Sequence, residues 1–438
     1  MISVFRFPDW CLLSEAGRVA ALAQSQRRLA GIGRSLNAVV HVFPADVSRP
    51  GPLSGMPYVA KDMIATGKSE PSWGYSEPQA SAMPRASMID RLEKTGACLI
   101  GTAVMTELAY EPSGIGRALN PWHAEAIPGG SSTGSAVLVA SGCCFAALGS
   151  DTGGSVRIPA HCCGVTGLKP SYGSLPLDGA MPLAPSLDTI GIMTRSAVDL
   201  ALVWQSISAG HASAATELPS ATTLLEDAFD ASDPEISEIC RNAVGVLAKS
   251  GMTIDEKHGF PENADQHALL VLQAEAARHH RERIEDTRTD PTLRRRLRKG
   301  LAISDQQLGL ALAARETLRN EFVSHYLGDA IAAFLPVMPI KTPDSEEVDP
   351  VSVHFNPRAL YALSRFTRFV NYLGLPALAV PAGFDGRGMP VGLQIVGRPG
   401  SEAALLAIGV ALQAATDWHG RVPAAIAGEI ADEGGLRE

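Results

Sequence analysis

No run of eighteen uncharged apolar residues occurs in this sequence of 438 residues, so nothing in it predicts a membrane-spanning helix. The start, Met1-Ile-Ser-Val-Phe-Arg-Phe7, lacks the basic residues, apolar core and cleavage site of a secretory leader, and a cytoplasmic protein is expected. Cysteine is scarce, and its count of seven is odd. Cys143-Cys144 and Cys162-Cys163 are adjacent pairs that no unstrained disulfide joins, which points to reduced thiols. His161-Cys162-Cys163 has the wrong ligand spacing for zinc, so neither a metal nor a cofactor is expected. Positive charge is in deficit, with 37 Lys and Arg against 46 Asp and Glu and a net charge of −9. That balance disfavours a nucleic-acid surface. The one basic run, Arg294-Arg-Arg-Leu-Arg-Lys299, reads as a solvated helix face. Pro/Ser-rich linkers and low-complexity runs are missing too. With 46% apolar and 19% charged residues, the chain reads as one domain over residues 1–438, carrying a helical insertion at about 210–330.

What is present alternates helix with strand. Ser14–Arg28 puts Val19, Leu22 and Ala23 on one helical face, and Ala38–Phe43 and Gly55–Ala60 read as strands. Gly31-Ile-Gly-Arg-Ser-Leu36 begins like a dinucleotide fingerprint, but it lacks the third glycine and a preceding strand, and reads as a helix stop. An amphipathic helix at Ala86–Thr95 precedes an apolar strand at Ala97–Ile100. Further strands are expected near Phe145–Gly149, Ile190–Met193, Phe334–Met338, Ala377–Val380 and Val391–Val396, with a helix over Ser196–Ala209. Glu235–Ser250 and much of Asp265–Tyr326 read as the helices of the insertion. This alternation predicts an α/β fold with a central mixed, mostly parallel sheet, covered by helices on both faces and built by the two ends of the chain together.

Two glycine-serine turns stand out, Pro128-Gly-Gly-Ser-Ser-Thr-Gly-Ser135 and Ser150-Asp-Thr-Gly-Gly-Ser-Val-Arg-Ile-Pro159. Between them, Ala136–Leu148 has the small residues of a tightly packed helix followed by a short strand. Glycine lets the backbone approach a ligand and aim successive N–H groups at one point. Cleaving an amide needs a nucleophile, a proton for the leaving nitrogen and a home for the oxyanion. Ser155 follows two glycines that keep its hydroxyl open to attack. The N–H groups of Thr152, Gly153, Gly154 and Ser155 can form a nest around one oxygen. Serine also needs a base, and no histidine stands in a matching motif.

The stretch from Pro128 to Pro170 resembles the core motif of the amidase signature family, serine hydrolases with a Ser–Ser–Lys triad. Met56-Pro-Tyr-Val-Ala-Lys-Asp62, Gly101-Thr-Ala-Val-Met-Thr-Glu-Leu-Ala109, Leu187-Asp-Thr-Ile-Gly191 and Asn371-Tyr-Leu-Gly-Leu-Pro-Ala377 through Gly397 resemble its other blocks. The resemblance implies Ser155 as nucleophile, Lys61 as base, and Ser131 bridging the two after a cis Gly130–Ser131 peptide. Ser131 lies 24 residues before Ser155, the separation of the family pattern. A lysine whose ordinary pKa is about 10.4 can act as a base only when neutral, which burial favours. Asp151, Arg157 and Lys169 are expected to support the loop, and Ser132 reads as a helix cap.

The expected function is a stand-alone amidase. It would hydrolyse the C–N bond of small neutral or aryl amides, or of aryl carbamates, through an acyl-enzyme on Ser155. Its partners would be a small-molecule substrate and at most a second copy in a homodimer, with no nucleic acid and no membrane. Trp73, Tyr75, His354 and Phe355 would supply an aromatic pocket wall. Two other readings compete. One is the A subunit of a glutamine-dependent tRNA amidotransferase, which belongs to the same family and works with partner subunits. The other is an α/β-hydrolase elbow, because Gly130-Ser131-Ser132-Thr133-Gly134 fits Gly-x-Ser-x-Gly with Ser132 as nucleophile. An elbow needs a strand directly before it, yet Asn120–Gly130 holds two prolines and two glycines.

Overall fold

In the computed structural model, residues 7–45, 49–80, 83–208, 218–424 and 426–427 are described. Every residue is buried in β2 (Pro57–Lys61), β3 (Cys98–Ala103) and β4 (Ala146–Asp151). Such uniformly apolar or small-residue strands are stable only where both faces of a sheet are covered. β2 runs parallel to β3 on one side and to β4 on the other. β1 (Val39–Val42) closes this end, antiparallel to β3.

Beyond β4 come β6 (Thr189–Thr194) and β5 (Thr166–Lys169), both antiparallel to their neighbours. β10 (Ala377–Phe384) pairs with β5 and returns as β11 (Pro390–Gly397). β9 (Ala332–Pro336) follows, and the far edge is built from β7 (Ala221–Leu225) and β8 (Thr253–Lys257). The result is one 11-stranded sheet in the order β1-β3-β2-β4-β6-β5-β10-β11-β9-β7-β8. The fold is α/β with a large mixed sheet that both ends of the chain build, as expected. The expected predominance of parallel pairing does not hold. Among the described residues, parallel pairs form only around β2 and around β7, where helices and long crossovers intervene. Short returns such as Asp385–Met389 between β10 and β11 can only make antiparallel neighbours.

The segment at 210–330 is not purely helical either, because it supplies β7 and β8. Residues 209–217, where the expected helix ends and the insertion begins, lie outside the described residues. β8 is the outermost strand and carries Asp255, Glu256 and Lys257, charges that discourage pairing with another chain.

A helix that begins at the first serine turn positions the site. All eight residues of the helix Thr133–Ala140 are buried. A Cβ on Gly134 would lie 2.3 Å from the Ala38 carbonyl oxygen and 2.6 Å from the Val104 nitrogen, so only glycine permits this helix to start where it does. The helix Ser87–Lys94 buries Met88, Ile89 and Leu92. Each side chain of this kind contributes roughly 1.5–3 kcal/mol on burial. No described helix is long and apolar enough to cross a membrane.

Candidate active site

Lys61 is the last residue of β2 and is fully buried. Its Nζ lies 2.6 Å from Ser131 Oγ and 2.8 Å from Ser150 Oγ. Burial pushes its pKa down to about 7, against the opposing pull of the Asp151 and Asp188 charges. The Gly130–Ser131 peptide is cis. Ser150 was not picked out from the sequence. It opens the second serine turn from within β4, and its hydroxyl also meets Met63 Sδ at 3.1 Å. An alternation count along β4 could have found it, since Ser150 shares a face with Leu148, beside the strand that carries Lys61.

Ser132 knits the two serine turns together. Its N–H donates to the Ser155 carbonyl at 3.2 Å, and its hydroxyl donates to the Ser150 carbonyl at 3.1 Å and accepts the Ser150 N–H at 3.2 Å. Ser132 stands at the N-cap of the helix that follows, where its carbonyl accepts the Ala136 N–H at 3.3 Å, but its side chain makes no cap bond and bridges the two turns instead. Nor does it behave as an elbow nucleophile. It is fully buried with its hydroxyl engaged, and no described strand lies between Ala103 and Thr133.

Ser155 is 7% exposed and opens onto a cavity of about 390 Å³, together with Thr152 and Gly153. Ser131 Oγ meets Lys61, and among the described residues no hydrogen bond links it to Ser155 Oγ. The loop holding Ser155 is anchored by a buried ion pair. Arg157 Nη2 and Nε reach the two Asp151 oxygens at 2.8 and 3.0 Å. Arg157 also donates to Gln394 Oε1, to Asn371 Oδ1 and to the Thr367 carbonyl at 2.6, 2.6 and 3.0 Å. Both residues are wholly buried and away from the cavity, the geometry of loop support. Lys169, also buried, donates to the Pro170 carbonyl at 2.6 Å.

One member of the expected oxyanion nest is lost. The Gly154 N–H donates to Asp151 Oδ1 at 2.9 Å, because the carboxylate that anchors the loop curls back to cap it. Thr152, Gly153 and Ser155 remain. Gly154 has φ +128°, and a Cβ there would lie 2.3 Å from Thr367 Oγ1 and 2.8 Å from Ile158 Cδ1. Thr367 Oγ1 itself donates to the Gly153 carbonyl at 2.6 Å. We therefore expect Gly154→Ala to cost about 1–3 kcal/mol of stability through overpacking, and to reduce amide turnover at least tenfold through displacement of the nest. A thermal melt and an ammonia-release assay check the two effects separately.

The cavity wall departs from the aromatic surface expected. Phe355 lines it, joined by Tyr110 and Tyr361. Trp73 and Tyr75 instead face the Arg283 guanidinium, 5.6 and 5.4 Å from their ring centroids, and Tyr75 Oη lies 2.8 Å from Thr289 Oγ1. His354 is exposed beside Glu346. The basic run is not merely a solvated face. It lies on the helix Pro291–Leu301, and Arg295, Arg296 and Lys299 line the cavity. His161 is buried and accepts the Gly392 N–H at 2.9 Å, and burial pushes its pKa down to about 4, so it is a neutral structural residue.

Comparisons with known proteins place the chain in a family. The family model described as Amidase matches residues 24–406. The A subunit of the glutamyl-tRNA(Gln) amidotransferase of Chloroflexus aggregans is 34% identical to this chain, over 94% of it and 90% of the relative. Among solved structures, one described as an amidase superposes with a TM-score of 0.81 at 31% identity, covering 91% of this chain and 96% of that one. The A subunit of the glutamyl-tRNA(Gln) amidotransferase of Thermotoga maritima superposes with a TM-score of 0.78 at 27% identity, covering 91% and 92%. These relatives overturn the expectation of a stand-alone hydrolase of small neutral or aryl amides. They equally overturn the expectation that a small molecule and a homodimer are its only partners and that nucleic acid plays no part. The sequence reasoning weighed net charge and loop aromatics, and neither reports on assembly. With the match spanning most of its length, the chain belongs to the amidase signature family and is an amidohydrolase.

Proposed function

We propose that this chain is the amide-hydrolysing A subunit of a glutamine-dependent tRNA amidotransferase. The observation that carries this reading is that A subunits of such enzymes align with it over nearly their full length. Ser155 Oγ would attack the side-chain carboxamide of glutamine. Its proton would pass through Ser131 to neutral Lys61, whose Nζ lies 2.6 Å from Ser131 Oγ. The N–H groups of Thr152, Gly153 and Ser155 would hold the oxyanion. Lys61 would return the proton to the leaving nitrogen, releasing ammonia and leaving a γ-glutamyl ester on Ser155. Water would then add to the ester, the same base would take its proton, and glutamate would leave. The partner subunits would use the ammonia to amidate glutamyl-tRNA, with ATP activating the glutamyl carboxylate as an acyl phosphate so that its oxygen leaves as phosphate.

The test is ammonia release from glutamine by the chain alone and by the chain copurified with the remaining amidotransferase subunits of its own organism. Turnover should rise at least tenfold in the assembly and respond to glutamyl-tRNA. An assembly that forms but leaves glutamine intact, or a chain that never associates with those subunits, would sink the proposal.

A further inference from the structure

Asp188 is a buried carboxylate that the mechanism above does not use. It stands immediately before β6, whose first residue, Thr189, pairs with Asp151 at the end of β4. That register sets it beside the turn holding Ser155. It is 6% exposed, and among the described residues no ion pair neutralises it. Its partners are donors: the Thr152 hydroxyl at 2.6 Å on Oδ1, and the N–H groups of Leu183 and Ala184 at 2.9 and 3.1 Å on Oδ2. Burial pushes its pKa up and the nearby Glu275 charge adds to that, against the hydrogen bonds of Thr152, Leu183 and Ala184.

Two of those partners belong to the reacting centre. Thr152 carries the first N–H of the oxyanion nest and is itself 2% exposed, so its hydroxyl has no solvent to turn to. Leu183 lines the Ser155 cavity beside Thr152 and Gly153. The segment that carries Leu183 is held from the other side as well. Glu275 accepts the Ser186 N–H and hydroxyl at 2.9 and 2.6 Å, and Arg315 donates to the Ser186 carbonyl at 2.7 Å. One carboxylate thus ties the nest to the cavity wall. Asp188 is also one of two charges that act on Lys61, and the other is Asp151, which is paired with Arg157 and also feels Lys169. A carboxylate buried without a cation is costly to keep, and a residue that only packs would not need the charge.

We propose that Asp188 is a positioning residue for amide hydrolysis: through the Thr152 hydroxyl it fixes the first N–H of the oxyanion nest, and its carboxylate acts across space on the Lys61 amine. A nest donor stabilises the developing oxyanion only while it is aimed at it. A negative charge facing Lys61 favours the ammonium, so neutralising Asp188 lets the amine lose its proton at lower pH. The inference needs the amidase chemistry alone and does not depend on glutamine being the substrate.

The test uses diisopropyl fluorophosphate, which bonds to a serine oxygen with loss of fluoride and places a phosphoryl oxygen where the oxyanion would sit. The rate of Ser155 labelling is followed by mass spectrometry on both sides of neutral pH. Native chain, Thr152→Val, Thr152→Ser and Asp188→Asn are compared after thermal melts confirm folding. Native labelling should rise with pH through about 7. Thr152→Val, similar in shape but unable to donate to Asp188, should label roughly tenfold more slowly or worse, and Thr152→Ser should recover most of that loss. Asp188→Asn should be slowed likewise, and its rise should move to lower pH by about half a unit or more, a shift that a purely structural role would not produce. Labelling of Thr152→Val within about twofold of native, an unmoved rise in Asp188→Asn, or a native Ser155 that the reagent leaves unlabelled would overturn the proposal. Should Asp188→Asn not fold, the Thr152→Val comparison decides alone. The expected labelling pattern in a chain whose assembly leaves glutamine intact would refute the amidotransferase assignment alone. Glutaminase in the assembly with Thr152→Val labelled at the native rate would refute the Asp188 assignment alone.

Discussion

Lys61→Ala should lower amide turnover about 10³-fold while leaving the chain folded. The side chain is wholly buried, and its Nζ has Ser131 Oγ and Ser150 Oγ as hydrogen-bonding neighbours. No solvent-borne base can replace it there. Burial, the largest influence, pushes its pKa down to about 7, so half the molecules hold a neutral amine near neutral pH. Turnover in the native protein should therefore rise with pH through about 7 and level off above it. The alanine variant should keep a small residual rate without that step. Retention of more than a tenth of native activity would remove Lys61 from the mechanism.

The same shift has a stability sign. An unfolded lysine titrates near 10.4, whereas Lys61 in the fold titrates near 7. Above pH of about 10.4 both states are neutral and no penalty exists. As pH falls from there towards 7, the unfolded chain binds a proton that the folded chain does not, and stability is lost. Below 7 the penalty is complete. Lys61→Met, similar in volume and without the charge, should accordingly melt no lower than the native chain at neutral pH while losing its turnover. That outcome would separate stability from activity at this residue, as expected of a buried amine kept for chemistry and not for the fold.

Arg157→Ala should destabilise the protein by about 3–5 kcal/mol, the cost of stranding a buried partner charge. Asp151 would lose both guanidinium contacts in a fully buried site, and Gln394, Asn371 and the Thr367 carbonyl would each lose a donor. Burial alone would raise the Asp151 pKa, but the charge and hydrogen bonds of Arg157 outweigh it and hold it at about 2. A depressed carboxylate stabilises the fold fully above its unfolded pKa of about 3.9, and that stability is lost as pH falls towards 2. Without Arg157 the acid-unfolding limb should therefore begin at higher pH. Arg157→Lys should rescue little, because an ammonium cannot span two carboxylate oxygens and three further acceptors. Urea titrations across pH test both points. A variant within 1 kcal/mol of native would show that the loop does not depend on this ion pair.

Several features of this protein were determined by the sequence alone. Uniformly buried β2, β3 and β4 follow from their apolar and small residues, and the two glycine-serine turns can only be loops that approach something closely. Lys61 at the end of β2, Ser131 at the first turn and Ser155 at the second are readable from motif and spacing. Other features exist only in the tertiary structure. Ser150 becomes a neighbour of Lys61 because β4 lies beside β2 in a register that points its hydroxyl at the amine. Gly154 drops out of the nest because Asp151, held by Arg157, folds back onto its N–H. Thr367, Asn371 and Gln394 brace the serine loop from more than 200 residues away, a separation local periodicity cannot see. The basic run shows the division most plainly. Its charges are legible in the sequence, but whether Arg296 faces solvent or the Ser155 cavity depends on how the helix Pro291–Leu301 is rolled against the fold. Leu293 and Leu297 set that roll by burying one face, and the cations on the flank are thereby turned towards the site.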